Sequence, residues 1–192
     1  MLVGASVVQA TVTSIDGAAT VSEQAERIPA PTTVPPTTVP PTTAPPSGGD
    51  LLFPIDPEPR CEVFDNFGGY SKYFGPGGHQ GLDIGADFRQ EVYAVEDGVL
   101  TEEYEGSGSG LGWGLVSDTD VKYRYFHLDE LEPGLVEGDR VEEGQLIGWV
   151  GDTGNAASGG WHLHFEVRPG SPHRTPVDPV PLLAIPAVCN VY

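Results

Sequence analysis

Residues 92–104 read VYAVEDGVLTEEY. Two β-prone runs, Val92–Val95 and Gly98–Tyr104, flank the turn residues Glu96, Asp97 and Gly98. Asp-Gly between alternating or β-branched runs is turn chemistry, because glycine supplies the backbone angles a tight reversal needs. The same unit recurs along the chain. Further strand-like runs lie at Leu115–Ser117, Val121–His127, Gln145–Val150 and Trp161–Val167. Turn residues separate them at 106–110, at Pro133-Gly134, at Glu137-Gly138 and at 155–160. Many short strands at this spacing predict an all-β domain, an antiparallel sandwich or barrel. No amphipathic helix of ordinary length is present, so at most a short helical turn is expected.

Upstream the composition changes. Residues 29–46 read PAPTTVPPTTVPPTTAPP, a VPPTT repeat. Proline fixes φ and removes a backbone donor, so this segment can join neither a helix interior nor a sheet. It reads as a disordered, extended spacer, and Thr/Pro-rich stalks are typical of secreted proteins. Three regions follow: an N-terminal segment 1–28, a linker 29–50 and a folded domain 51–192. Leu2–Ala10 is apolar or small and ends in Val8-Gln9-Ala10, resembling the end of an export signal, but no Lys or Arg precedes it. A plain unstructured N-terminus accounts for it as well. No apolar stretch is long enough to span a bilayer.

The chain carries 28 Asp and Glu against nine Lys and Arg, a formal charge of −19. A chain this acidic offers no basic stripe to phosphates, which argues against nucleic-acid partners and anionic membrane surfaces. The two cysteines, Cys61 and Cys189, stand near opposite ends of the domain, where chain termini often meet. A disulfide between them would imply an oxidising compartment. Two buried free thiols are the alternative, and the Pro/Thr segment favours the disulfide.

The chemistry-bearing residues are histidines. Five occur in the chain, two of them in WHLHFE at 161–166. On a strand, His162 and His164 share one face while Leu163 points to the other. Two imidazoles aimed at one place suit a metal or a proton relay; a pair of half-exposed strand histidines is the bland alternative. In GPGGHQGLDIG at 75–85, His79 and Asp83 stand four apart. The glycines disfavour a helix, so a loop entering a strand is expected, with both side chains on one face. A glycine-rich turn with an exposed histidine would read the same. In YRYFHL at 123–128, strand alternation predicts Tyr123, Tyr125 and His127 on one face. His173, in SPHRTP, reads as surface.

The order HxxxD, H, HxH is similar to that of the lysostaphin-type, or LytM-like, zinc endopeptidases of bacterial peptidoglycan. The resemblance runs from FDNFG (64–68) through HQGLDIG, YAVEDGVL, YFHL, EEGQLIGWVGDTG and WHLHFEVRPG to PVDPVPLL (176–183), nearly the whole domain. It implies a duplicated, barrel-sandwich hybrid β-fold. His79, Asp83 and His164 match the family's Zn²⁺ ligands, and His127 and His162 its catalytic histidines. The implied reaction is hydrolysis of peptide cross-links by a zinc-held water with two histidines assisting. The implied partners are peptidoglycan stem peptides or cross-bridges, met by a secreted, wall-associated monomer. Trp161 stands where a smaller residue or proline is common in the family, which implies a reshaped groove floor. Two other readings share the pattern. One is an inactive adaptor of the same fold that binds wall material or activates another hydrolase. The other is a histidine phosphocarrier, because DGVL and VEEGQLIGWVGDTG (141–154) also resemble the biotinyl/lipoyl-type and sugar-phosphocarrier folds.

Overall fold

The computed structural model describes residues 11–15, 18–22, 49–70, 77–173 and 175–192. The linker expected at 29–50 lies outside the described residues except for Gly49 and Asp50, as does most of the segment 1–28. Within that segment, β1 (Thr11–Ile15) and β2 (Ala18–Ser22) pair antiparallel as one unit of the chain.

The second unit is the β-domain. Its strands are β3 (Glu62–Phe64), β4 (Leu82–Gly85), β5 (Glu91–Tyr93), β6 (Gly98–Gly106), β7 (Gly110–Ser117) and β8 (Val121–Leu131), followed by β9 (Arg140–Val141), β10 (Leu146–Val150), β11 (His162–Pro169) and β12 (Asn190–Val191). Among the described residues there is no α-helix; the single helical turn is a 3₁₀ turn at Gly154–Ser158. The all-β fold is therefore the one found. The strands form one mixed sheet in the order β12-β3-β4-β11-β8-β7-β6-β9, with β10 branching from β8 to pair β5. Among the described strand pairs, β12–β3 is parallel and the others are antiparallel.

Strand alternation builds the core. Tyr123, Tyr125 and Leu128 of β8, Leu163 and Phe165 of β11, Ile84 of β4 and Trp113 of β7 are fully buried in one cluster. Tyr123 stacks on Phe165, the ring centroids 5.9 Å apart. The polar ends of the buried aromatics are satisfied: Trp113 Nε1 donates to the Ile147 carbonyl at 3.0 Å, and the Val95 amide donates to Tyr125 Oη at 3.1 Å. The two ends of the domain meet. The Gly49 and Leu51 amides donate to the Leu182 carbonyl, β12 lies beside β3, and Cys61 and Cys189 are joined in a disulfide.

One expectation fails. His127 does not share the face of Tyr123 and Tyr125. On β7, only Gly112 lies between Leu111 and Trp113; their partners on β8, Leu128 and Tyr125, enclose two residues, Phe126 and His127. This is a β-bulge, which inserts one residue and re-aims a side chain. His127 takes φ 66°, a left-handed angle uncommon for a non-glycine residue. Its amide donates to the Ser109 carbonyl at 2.9 Å. The core face resumes at Leu128, and the imidazole turns to the opposite face. Gly112 makes room, because a Cβ there would lie 2.0 Å from the Tyr125 carbonyl oxygen.

Candidate functional site

The site is built where β4 and β11 pair. His164 stands directly opposite Asp83, and His162 opposite Gly85. Because side chains of facing residues meet on one side of a sheet, the register alone brings His164 to the Asp83 carboxylate. His79 arrives from the loop before β4. That loop is pinned by two backbone bonds, Gly68 amide to His79 carbonyl and His79 amide to Gly69 carbonyl, at 2.8 and 2.9 Å. Gly78 between them has φ 72°, and a Cβ there would meet the Gly68 carbonyl at 2.7 Å.

Three donor atoms converge: His79 Nε2 and His164 Nδ1 are 2.9 Å apart, His79 Nε2 and Asp83 Oδ1 3.2 Å, and His164 Nδ1 and Asp83 Oδ1 3.0 Å. Tetrahedral Zn²⁺ with ligands about 2.0–2.1 Å away places its donors about 3.3 Å apart, so the triangle is close to the size the ion needs. Two imidazoles and one carboxylate are also a donor set zinc favours, and three protein ligands leave one position open.

Each imidazole has its outward nitrogen engaged. His79 Nδ1 faces the Asn66 carbonyl at 3.2 Å, His127 Nδ1 the Thr153 carbonyl at 2.8 Å and His162 Nδ1 the Gly160 carbonyl at 2.8 Å. A carbonyl only accepts, so Nδ1 carries the hydrogen and Nε2 keeps its lone pair. His164 is reversed. Its Nε2 faces the Glu166 carboxylate at 3.3 Å, leaving Nδ1 for the triangle. Asn66 also donates Nδ2 to Asp83 Oδ2 at 2.9 Å and accepts the Asp83 amide at 3.3 Å. It thus orients two members of the triangle at once.

The electrostatics follow from burial and neighbours. Burial opposes the Asp83 charge, but hydrogen bonds from His164 and His79 outweigh it and hold the carboxyl far below its usual range. Burial likewise opposes protonation of His164, yet its bonds to Asp83 and Glu166 prevail and lift it to about 9. His127 is lowered to about 4, first by burial and then by repulsion from His162 and His164.

His127 and His162 adjoin the triangle, their ring centroids 4.9 Å apart, and Phe126 stacks on His164. All five sequence-predicted residues line one open groove of about 450 Å³, walled by Gly108 and Ser109 on one loop and Asn155, Ala156 and Gly159 on another. Trp161 is not among the residues lining the groove; it is exposed and packs on Phe88 with centroids 5.5 Å apart. His173 is not simply surface: it is half-buried, its Nδ1 3.2 Å from the Arg168 carbonyl and its Nε2 3.3 Å from Asp120. Sequence reasoning missed Asn66, Thr153 and Glu166. Glu166 alone carried a signal, standing two residues from His164 on the same strand face.

The sequence pattern described as peptidase family M23 matches residues 77–179. The glycyl-glycine endopeptidase ALE-1 of Staphylococcus capitis is 35% identical over 120 residues, which is 61% of this chain and 32% of that protein. The L-Ala--D-Glu endopeptidase of Bacillus subtilis is 31% identical over 124 residues, 61% of this chain and 37% of that protein. The chain thus spans about a third of the length of these curated relatives. Among solved structures, the catalytic domain of the antimicrobial peptidase lysostaphin from Staphylococcus simulans superposes with a TM-score of 0.55 at 31% identity. That alignment covers 63% of this chain and 90% of that one. With more than half of its length matched by the family pattern, the chain belongs to peptidase family M23.

Proposed function

We propose that this chain is a zinc-dependent endopeptidase that hydrolyses peptide bonds in the cross-links of bacterial peptidoglycan. The observation that carries the reading is the convergence of His79 Nε2, Asp83 Oδ1 and His164 Nδ1 in an open groove beside His127 and His162. His79, Asp83 and His164 would hold Zn²⁺. When bound there, the ion would supply Lewis acidity, polarising the scissile carbonyl and lowering the pKa of water toward about 7.

The remaining chemistry belongs to the protein's own groups. His127 and His162 present Nε2 to the groove because their Nδ1 hydrogens are spent on backbone carbonyls. His127 is neutral at pH 7, so its lone pair is free to take a proton from the attacking water. His162 lies beside it, the ring centroids 4.9 Å apart, and whichever imidazole has taken the water's proton can pass that proton to the leaving amine. A protonated imidazole at either place also faces the oxygen that gains charge in the tetrahedral intermediate. All five residues come from one chain, so the site is complete in a monomer.

The names of the relatives support the substrate class, one cutting glycyl-glycine and one L-Ala–D-Glu bonds. The Cys61–Cys189 disulfide supports an extracytoplasmic, wall-associated location. Among the described residues no helix is long and apolar enough to cross a membrane. We assign catalysis to the domain 51–192, with 29–50 as linker and 1–28 as a separate segment.

The test is incubation of the protein with purified peptidoglycan, with and without a chelator, followed by mass spectrometry of released fragments. New amine termini that vanish with the chelator and return with zinc are expected. Binding to peptidoglycan without any fragment would instead establish the inactive adaptor.

A further inference from the structure

β11 carries charges where a strand core would be expected to be apolar. Glu166 and Arg168 are each 4% exposed, and they follow His162 and His164 at intervals of two along the same face. Burying a carboxylate and a guanidinium costs several kcal/mol per ion, which only close pairing offsets. The pairing here has a direction. Glu166 divides its two oxygens: Oε1 faces His164 Nε2 at 3.3 Å, and Oε2 accepts Arg168 Nε at 2.6 Å and Arg124 Nη1 at 3.3 Å. Arg124 reaches it from the neighbouring strand, where β8 pairs Arg124 with Glu166. Arg168 also donates to the side chain of Gln80, the residue that follows His79.

An imidazole can turn either nitrogen toward a metal, and the hydrogen bond made by the other nitrogen decides which. Of the two imidazoles in the triangle, His79 turns its outward nitrogen to a backbone carbonyl, whereas His164 turns it to a side chain, the Glu166 carboxylate. We propose that Glu166 is a positioning residue that fixes His164 with Nδ1 toward the metal. Arg124 and Arg168 hold the carboxylate in place, and Arg168, through Gln80, ties β11 to the loop that carries His79. The network thereby sets metal affinity before any substrate arrives. This inference rests on the metal reading of the triangle.

The test needs no turnover. Zinc affinity is measured by competition with a chromophoric chelator for wild type, Glu166→Ala and Glu166→Gln, with near-UV circular dichroism as the check on folding. Removing the acceptor should weaken zinc by about 10- to 100-fold, the usual cost of losing such a partner. The amide of Glu166→Gln can still accept from Nε2, so its loss should be smaller. The visible spectrum of the cobalt-loaded protein should shift in Glu166→Ala. Zinc affinity of Glu166→Ala within threefold of wild type would overturn the proposal, as would equal losses in both variants. Nitrogen-resolved NMR of the histidines in zinc-loaded wild type gives an answer even if neither variant folds. His164 should be protonated on Nε2, and a hydrogen on Nδ1 would refute the proposal. If wild type binds no zinc, the metal reading itself fails and this inference falls with it.

Discussion

Gly81 offers the most direct way to disturb the site through the backbone beside it. It sits immediately before β4, against β11. A Cβ at this position would lie 2.5 Å from the Phe165 carbonyl oxygen, 2.7 Å from His164 Nε2 and 2.9 Å from His164 Cε1. Those contacts are about 0.5–0.9 Å inside ordinary van der Waals separation. Neither neighbour yields freely. The Phe165 backbone belongs to the β4–β11 ladder, and the His164 ring is held between Asp83 and Glu166. Gly81→Ala must therefore part the two strands or swing the imidazole. Metal sites tolerate about 0.2 Å in ligand distance, so a displacement near 0.7 Å should raise the zinc Kd at least tenfold. Overpacking of this kind also costs about 1–3 kcal/mol, which for a domain of this size lowers Tm by about 3–10 °C. Gly108→Ala is the control, because a Cβ there meets nothing within 4 Å. Chelator competition and calorimetry read the two effects. Gly81→Ala with the zinc affinity and Tm of Gly108→Ala would show that close packing at Gly81 does not hold the site in place.

Three further outcomes are expected. His127→Ala and His162→Ala should keep one zinc per chain while turnover falls by about 10² or more, the usual contribution of a positioned acid–base group; loss of zinc in either would mean that ligand and catalyst had been interchanged. Reduction of the Cys61–Cys189 bond, which closes a loop with a sequence separation of 128, should cost up to about 4–5 kcal/mol on the loop-entropy model; an unchanged Tm, or loss of the metal on reduction, would count against a purely structural bridge. Burial raises the Glu166 carboxyl, but its bonds to His164 and Arg168 prevail and hold it at about 2 against an ordinary 4.5. In metal-free protein this contributes stability complete above pH 4.5 and lost as pH falls through 2, so Glu166→Gln should flatten that acid limb in denaturant titrations at stepped pH.

The strands that carry the core were legible because two signals coincided, alternation of apolar residues and Gly-containing turns such as Glu96-Asp97-Gly98. The short strands β3, β9 and β12 were not. At two or three residues each they have no period to read, and they are strands only because a neighbour pairs with them. The HxH pair was legible for the same reason as the core, since the period that buries Leu163 and Phe165 aims His162 and His164 together. That rule misplaced His127, because the bulge depends on Gly112 in the partner strand and on a left-handed angle that the run YRYFHL does not announce. Asn66 was beyond reach as an orienting group. It acts across 13 and 17 residues, in part through its backbone carbonyl, which any residue type would supply.

His79, Asp83 and His164 are expected to hold one zinc ion that His127 and His162 do not. The most direct measurement is elemental analysis of zinc per chain in wild type and in the five single alanine variants, each first shown to be folded. One zinc is expected in wild type, His127→Ala and His162→Ala, and none in His79→Ala, Asp83→Ala and His164→Ala. Full zinc occupancy in His164→Ala, or its absence from the wild-type protein, would contradict the account.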